Sequence, residues 1–222
     1  MDNHDWEAFQ GGCRALGIAI EPTWRTRLET YADLLLAWNQ RVNLTAIRAP
    51  RAIWIKHFLD SLTLLPHLPP AGALLDIGTG AGFPGLVLKI ARPGMPVTLV
   101  EARARKVAFL EEVRRSLGLP GCTVIHRHLA PGDAALSGAF GTVVSRAFRG
   151  PRAFLQLARG FVGAGGRAVV MGGGPGRPRA EWEALAAEFG ARLGPIPQFA
   201  LPEGAGARHL VILDWPPGAC ST

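Results

Sequence analysis

Apolar positions in the first seventy residues recur at helical spacing. Trp24, Leu28, Tyr31, Leu35, Trp38 and Val42 follow at alternating steps of four and three, which puts them on one stripe of a helix. Pro22 precedes them, where a first-turn proline belongs. A second amphipathic helix is expected from Arg51 to Leu65, with Ile55, Phe58, Leu59, Leu62 and Leu65 inward. Pro66 and Pro69-Pro70-Ala71-Gly72 then break the chain. After Gly72 the pattern changes to short apolar runs bounded by turns. Strands are expected at Ala73–Ile77, Val97–Val100, Cys122–His126, Thr142–Ser145 and Arg167–Met171, with a last apolar run from Arg208 to Asp214. Helices are expected between them, at Pro84–Ile90, Arg103–Leu117, Pro151–Val162 and Arg179–Phe189, and Gly172–Pro178 reads as a loop. Such alternation predicts an α/β architecture, a mostly parallel central sheet with helices on both faces. The expected organisation is an N-terminal helical extension over residues 1–70, the α/β domain over 71–216 and a flexible tail over 217–222.

Composition adds a packed core and removes some classes of function. Hydrophobic residues make up 48% of the 222 and charged residues 18%, which suits a folded domain. No apolar run reaches membrane-spanning length, and Met1–Trp6 lacks the layout of a secretion signal, so neither a membrane nor export is expected. Cys13, Cys122 and Cys220 are widely spaced, fitting neither a metal site nor a disulfide framework; a reducing cytoplasm is expected. Charge is uneven. Residues 1–70 carry seven acidic and seven basic side chains, whereas Lys89 to Arg179 carries fifteen basic and four acidic ones. Coding bias explains why only three basic residues are lysine, but not why bases outnumber acids here. The excess points to a polyanion.

The central motif is Asp76-Ile77-Gly78-Thr79-Gly80-Ala81-Gly82-Phe83-Pro84-Gly85, between an expected strand and an expected helix. Glycines there allow positive φ and let backbone approach a ligand, and a side chain at Gly80 is expected to block that approach. A dinucleotide fingerprint wants its third glycine three residues after the second. Phe83 holds that position, and the third glycine is Gly82. A cationic ligand without a phosphate suits this spacing better, and S-adenosylmethionine is such a ligand. Glu101 ends the next expected strand, nineteen residues after Gly82, where a carboxylate can accept hydrogen bonds from ribose hydroxyls. The expected fold is therefore the Rossmann-like S-adenosylmethionine-dependent methyltransferase fold. Arg146, just beyond the strand Thr142–Ser145, falls on the same carboxyl edge of the sheet, within reach of a phosphate or the cofactor carboxylate. His57 and Asp60, three apart, share a helix face and could reach cofactor or RNA or brace a loop. Asn39 and Asn43 suit a structural role in the turn before Pro50, and Trp24 and Trp38 suit the core.

These segments together resemble the bacterial 16S ribosomal RNA guanine-N7 methyltransferases, the glucose-inhibited division protein B family. The resemblance rests on the decapeptide, on Trp38-Asn39-Gln40-Arg41-Val42-Asn43-Leu44-Thr45 and on Lys56-His57-Phe58-Leu59-Asp60-Ser61. It continues through Glu101, Arg105-Lys106, Arg127, Ser145-Arg146-Ala147-Phe148 and Arg208-His209-Leu210, nearly the whole chain. It implies methylation of a guanine N7 in the 530 loop of 16S ribosomal RNA, on RNA or the small ribosomal subunit, by a cytoplasmic monomer without a metal. It also implies a cofactor site of Asp76, Gly78, Thr79, Gly80, Gly82, Phe83, Pro84, Glu101, Leu129, Ala130 and Arg146. Arg146 and His57 would be catalytic, and Arg105, Lys106, Arg177 and Arg208 would contact RNA. Two positions depart from the family. Gly172-Gly173-Gly174 stands where Lys-Gly is usual, so a cationic contact is missing or is supplied by Arg177 or Arg179. His128, Leu129 and Ala130 follow Arg127 where an acidic residue is usual.

The implied chemistry needs no general base, because guanine N7 carries a lone pair and no proton at neutral pH. Alignment and charge stabilisation remain. Three competitors share features of the chain. A methyltransferase for another substrate leaves the basic middle third unexplained, and a nicotinamide-dependent oxidoreductase conflicts with Phe83. A non-catalytic RNA-binding assembly factor with a vestigial pocket is kept open by the departure at Gly172.

Overall fold

The computed structural model describes residues 3–133, 136–146, 150–174 and 176–217. Ala147-Phe148, Cys220 and most of the expected tail lie outside the described residues. The strands are β1 (Leu74–Ile77), β2 (Val97–Glu101), β3 (Cys122–His126), β4 (Phe140–Arg146), β5 (Val162–Gly173), β6 (Arg192–Leu193), β7 (Gln198–Leu201) and β8 (Gly206–Asp214). They form one sheet in the order β3-β2-β1-β4-β5-β8-β6, with β7 on β8. The pairs β3–β2, β2–β1, β1–β4 and β4–β5 are parallel, and every pairing of β8 is antiparallel. The order reverses between β1 and β4, so a crevice opens at the carboxyl ends of these two strands.

Alternation along each strand makes two cores. Leu74, Leu99, Val144, Val169 and Ile212 face one side, and Leu75, Val100, Val143, Ala168 and Leu213 face the other. Helices α7 (Pro151–Phe161) and α8 (Arg179–Glu188) cover the second face through Phe154, Phe161, Trp182 and Leu185. The first face is covered by α5 (Gly85–Ala91) and α6 (Ala104–Ser116), and by the N-terminal helices α1 (Asn3–Ala15) and α2 (Trp24–Asn39). The helical extension therefore shares a core with the sheet. A chain of rings, Trp6, Phe9, Trp54, Phe58, Tyr31 and Phe83, runs from α1 to the glycine loop with centroids 5.0–5.4 Å apart.

Three expectations are corrected. The segment 51–65 is not one amphipathic helix. It runs as α3 (Pro50–Ile53), a π-helical turn (Trp54–Leu59), α4 (Asp60–Leu62) and a 3₁₀ turn (Leu65–His67). From Ile53 to Leu64 every residue except Lys56 is buried. Strand β5 starts five residues before Arg167 because Gly163 and Gly166 lie against the 138–141 backbone, where a Cβ would meet Gly138 O at 2.9 Å and Gly141 O at 3.1 Å. Alternation could not announce a strand built on glycine. Helix α2 stops at Asn39, three residues short of the stripe's end. There the Asn39 amide accepts from the Leu44 and Thr45 N–H groups and donates to Thr45 O.

Candidate functional site

The glycine loop is pinned on all sides. Gly78 and Thr79 N–H donate to Val100 O, tying the loop to β2. One oxygen of the fully buried Asp76 accepts from Thr79 Oγ1 at 2.6 Å and Gly85 N–H at 2.8 Å, and the other has no partner. Burial pushes the Asp76 carboxyl up to about 6, against the pull of these bonds. Glu101, 7% exposed, accepts from Gly80 N–H at 3.0 Å and Arg103 N–H at 2.9 Å. The sole tyrosine, Tyr31, donates from α2 to Ala81 O. Its position in an apolar stripe masked this role.

The glycines differ in what they do. Gly78, Gly80 and Gly82 have φ of +68°, +63° and +97°. A Cβ on Gly80 would meet nothing nearer than Lys106 Nζ at 3.7 Å, so the space above it is open. On Gly82 it would lie 2.4 Å from Leu86 Cδ1 and 2.6 Å from the Tyr31 hydroxyl, and on Gly85 2.3 Å from Leu99 Cδ2. Internal packing therefore demands glycine at 82 and 85. Beside the loop, a small cavity of about 90 Å³ is lined by Gly78, Glu101, Arg127 and Leu129, with Val100 and Leu157 as apolar walls. A carboxylate beside an apolar groove suits an adenosine, and the orphaned Asp76 oxygen suits a cationic ligand. Thr79 and Phe83 turn inward, 3% and 4% exposed. Pro84 caps α5, and Ala130 accepts from Asp133 N–H. Asp133 also pairs with Arg127 at 2.9 Å, an acid six residues further on where the family places one close behind.

Arg146 is the last residue of β4, one position inside the expected edge. Its guanidinium donates to Lys56 O at 3.1 Å, Asp60 Oδ2 at 3.1 Å and His57 Nδ1 at 2.8 Å, and lies over the Phe83 ring at 5.2 Å. An arginine can only donate, so His57 Nδ1 accepts, and Nε2 carries the hydrogen that goes to Thr45 Oγ1 at 2.9 Å. Burial and the neighbouring guanidinium push His57 down to about 3. The ring is thus neutral at pH 7, stacked on Phe83 at 4.3 Å, with both nitrogens engaged by the protein. Asp60 Oδ1 accepts from Arg208 at 3.1 Å, so one buried carboxylate joins two arginines. Burial raises the Asp60 carboxyl and both guanidiniums oppose the rise. Neither the bridge nor the Thr45 contact was legible from spacing alone.

A second cavity, about 400 Å³, opens beside Arg146. It is bounded by Lys56, Asp60, Arg208 and His209, with Phe199 and the end of β5. A larger one, about 580 Å³, lies along α7 and α8, away from the loop. Arg177 lines that cavity and pairs with Glu181 at 3.1 Å, and Arg179 pairs with Glu183 at 2.8 Å. Neither arginine is among the residues that line the cavity beside Arg146, and both line a neighbouring one together with Gly176 and His209. Arg105 is exposed in the first turn of α6, next to Lys106 at the loop mouth. The basic excess is also reduced. Lys89 is buried, donating to Pro93 O and Met95 O, and Arg92 donates to Pro69 O and Leu65 O. Arg114, Arg115, Arg152 and Arg167 pair with carboxylates. Among the described residues no His, Cys, Asp and Glu cluster suits a metal, and no helix is long and apolar enough to cross a membrane.

The match to a family model described as rRNA small subunit methyltransferase G covers residues 25–203. The chain belongs to the rRNA small subunit methyltransferase G family. A relative in Myxococcus xanthus, named ribosomal RNA small subunit methyltransferase G, is 42% identical over 215 residues, 96% of this chain and 98% of its own. Solved structures share the fold at lower identity. A SAM dependent methyltransferase from Aquifex aeolicus aligns with TM-score 0.56 and 16% identity, over 75% of this chain and 93% of its own. A branched-chain polyamine synthase from Thermus thermophilus aligns with TM-score 0.61 and 18% identity, over 86% and 65%. The fold thus serves a synthase as well as methyltransferases, and the family match, not the fold, narrows the chemistry.

Proposed function

We propose that the chain transfers the methyl group of S-adenosylmethionine to N7 of a guanine in small-subunit ribosomal RNA, within the 530 loop, acting as a cytoplasmic monomer. Family membership supports the RNA class. The observation that carries the chemistry is Arg146, fixed by three acceptors between the glycine loop and an open cavity. Bound S-adenosylmethionine would supply an electrophilic methyl on a sulfonium. Gly78, Gly80, Glu101 and Leu129 would hold it, with Glu101 receiving the ribose hydroxyls on lone pairs left by its two backbone bonds. Guanine N7 brings its own lone pair, so the protein need not remove a proton. A neutral, fully bonded His57 accords with that, because it serves to orient Arg146. The Arg146 fork can meet guanine O6 or a flanking phosphate. Tritiated methyl transfer onto unmodified small-subunit RNA and onto isolated subunits, followed by nucleoside analysis, tests this reading. Label in 7-methylguanosine is expected, and label in any other nucleoside overturns it.

A further inference from the structure

The 400 Å³ cavity beside Arg146 is rich in cations and poor in acceptors. Lys56, Arg146 and Arg208 supply donors. Of its side chains only Asp60 and His209 can accept strongly, and both Asp60 oxygens are engaged by guanidiniums. His209 is different. It lies on β8 opposite Gly172 of β5 and is 8% exposed, and no side chain or backbone group of the described residues hydrogen-bonds its imidazole. The ring lines this cavity and a second one, about 250 Å³, that holds Gly176, Arg177 and Arg179. An imidazole that lines two cavities without a partner among the described residues is open to a ligand that enters either one.

Gly172 explains how the ring comes to be there. A Cβ on Gly172 would stand 2.2 Å from His209 Nε2 and 2.6 Å from Cε1. The imidazole fills the space that any side chain at 172 needs, including the lysine usual in the family. The residue that departs from the pattern is therefore the one that lets His209 lie over the strand.

We propose that His209 is a specificity-determining residue that reads the target guanine in this cavity, a deepening that rests on the function proposed above. The base must present N7 to the methyl donor, which leaves N1–H and the N2 amino group on its other edge. Both are donors. Three cations cannot recognise them, whereas an imidazole ring nitrogen can serve as an acceptor. Phe199, half-buried on β7 in the same cavity, offers a face against which the base can rest. Cations hold O6 and phosphate, and the imidazole distinguishes guanine from adenine.

The test measures methyl transfer to small-subunit RNA carrying either guanosine or inosine, which lacks the N2 amino group, at the methylated position. A third RNA carries N1-methylguanosine there. With guanosine, His209→Ala is expected to lower kcat/KM about tenfold or more, while S-adenosylmethionine affinity by calorimetry stays within about twofold. On the altered base whose missing group His209 contacts, the wild type should lose activity and His209→Ala should lose little further. Gly172→Ala, which drives the ring from its place, should mimic His209→Ala. His209→Gln, which keeps an acceptor, should recover part of the activity and guards against a fold defect in the alanine variant. The same loss from His209→Ala on all three RNAs overturns the inference, as does a wild-type rate in that variant. Failure of the wild type to methylate any guanine instead overturns the proposed function.

Discussion

Alanine at Gly82 and at Gly80 should behave differently, although the two glycines are two residues apart in one loop. Both have positive φ, a conformation that costs an L-residue about 1–2 kcal/mol. Alanine also restricts the unfolded chain, which offsets about 0.4–1 kcal/mol of that. At Gly80 the added methyl meets open space, so about 1 kcal/mol of destabilisation remains. At Gly82 the methyl would lie 2.4 Å from Leu86 Cδ1 and 2.6 Å from the Tyr31 hydroxyl. Overpacking adds about 1–3 kcal/mol. Displacing Tyr31 from Ala81 O removes a buried hydrogen bond, about 1 kcal/mol more. The expected loss at Gly82 is therefore about 3–5 kcal/mol. Urea unfolding followed by tryptophan fluorescence reads both variants, with calorimetry for the cofactor. Gly80→Ala should remain folded and bind S-adenosylmethionine less well, because the methyl occupies the open side of the loop. Equal midpoints for the two variants would show that φ alone, not packing, sets the glycine requirement. Unchanged cofactor affinity in Gly80→Ala would place the ligand elsewhere.

Arg146→Ala should reduce methyl transfer at least about a hundredfold, and Arg146→Lys should rescue poorly because a point charge cannot make the fork. It should also lower the thermal midpoint, since buried Asp60 keeps only Arg208 and His57 Nδ1 loses its donor; an unchanged midpoint would argue against the observed bridge. Thr45→Val, which leaves the His57 Nε2–H without an acceptor, should slow methyl transfer about tenfold, with Thr45→Ser restoring it. A shift in the His57 ring-nitrogen resonances should accompany the loss in Thr45→Val, and a normal rate with an altered tautomer would remove the Thr45–His57 contact from the mechanism. His57 also sets a pH dependence of stability. Its folded value near 3 lies below the unfolded 6.5, so the unfolded chain binds the extra proton and stability falls as pH drops from about 6.5 towards 3. Asp76, raised to about 6, acts in the opposite sense between about 6 and 4, so the comparison must be made between wild type and His57→Gln. The variant should lose less stability between pH 7 and pH 5, and parallel curves would mean that His57 does not resist protonation.

Periodicity was enough for the parallel sheet, because each of its core strands is a short run of β-branched and aliphatic residues between turns. It failed where other forces set the geometry. Segment 51–65 contains apolar residues at helical steps, but it is buried on nearly every side and takes a π turn around Trp54–Leu59. Strand β7 was invisible because Gln198–Leu201 is four residues long and gains its partner only from a hairpin with β8. Within the site, the positions of Glu101 and Arg146 at strand ends were legible, since topology alone puts strand ends on one edge. The side-chain partners were not. Tyr31 to Ala81, Thr45 to His57 and Asp60 to Arg208 join residues 50, 12 and 148 positions apart, and no local rule reaches that far.

The positive charge of the middle third argued for RNA, and most of it is engaged by the protein itself. Among the described residues from Lys89 to Arg179, only Arg103, Arg105, Lys106 and Arg159 stand without a carboxylate or carbonyl partner. The exposed pairs are worth little individually, so a phosphate can compete for the arginines of Arg177–Glu181 and Arg179–Glu183. Arg146 and Arg208 differ, because their common partner Asp60 is buried and cannot be released without leaving a carboxylate unpaired. The two arginines are therefore held more firmly than the surface pairs, and their remaining N–H groups are donors available to the cavity. That is the division of labour the proposed chemistry asks for. In that proposal loosely paired surface arginines would gather a polyanion, and a rigid guanidinium at the switch point would align one base. If N7 is the acceptor, as proposed, it gives up no proton, and the part open to the buried His57 and Asp60 is to hold Arg146 rigid rather than to act as a tuned acid or base.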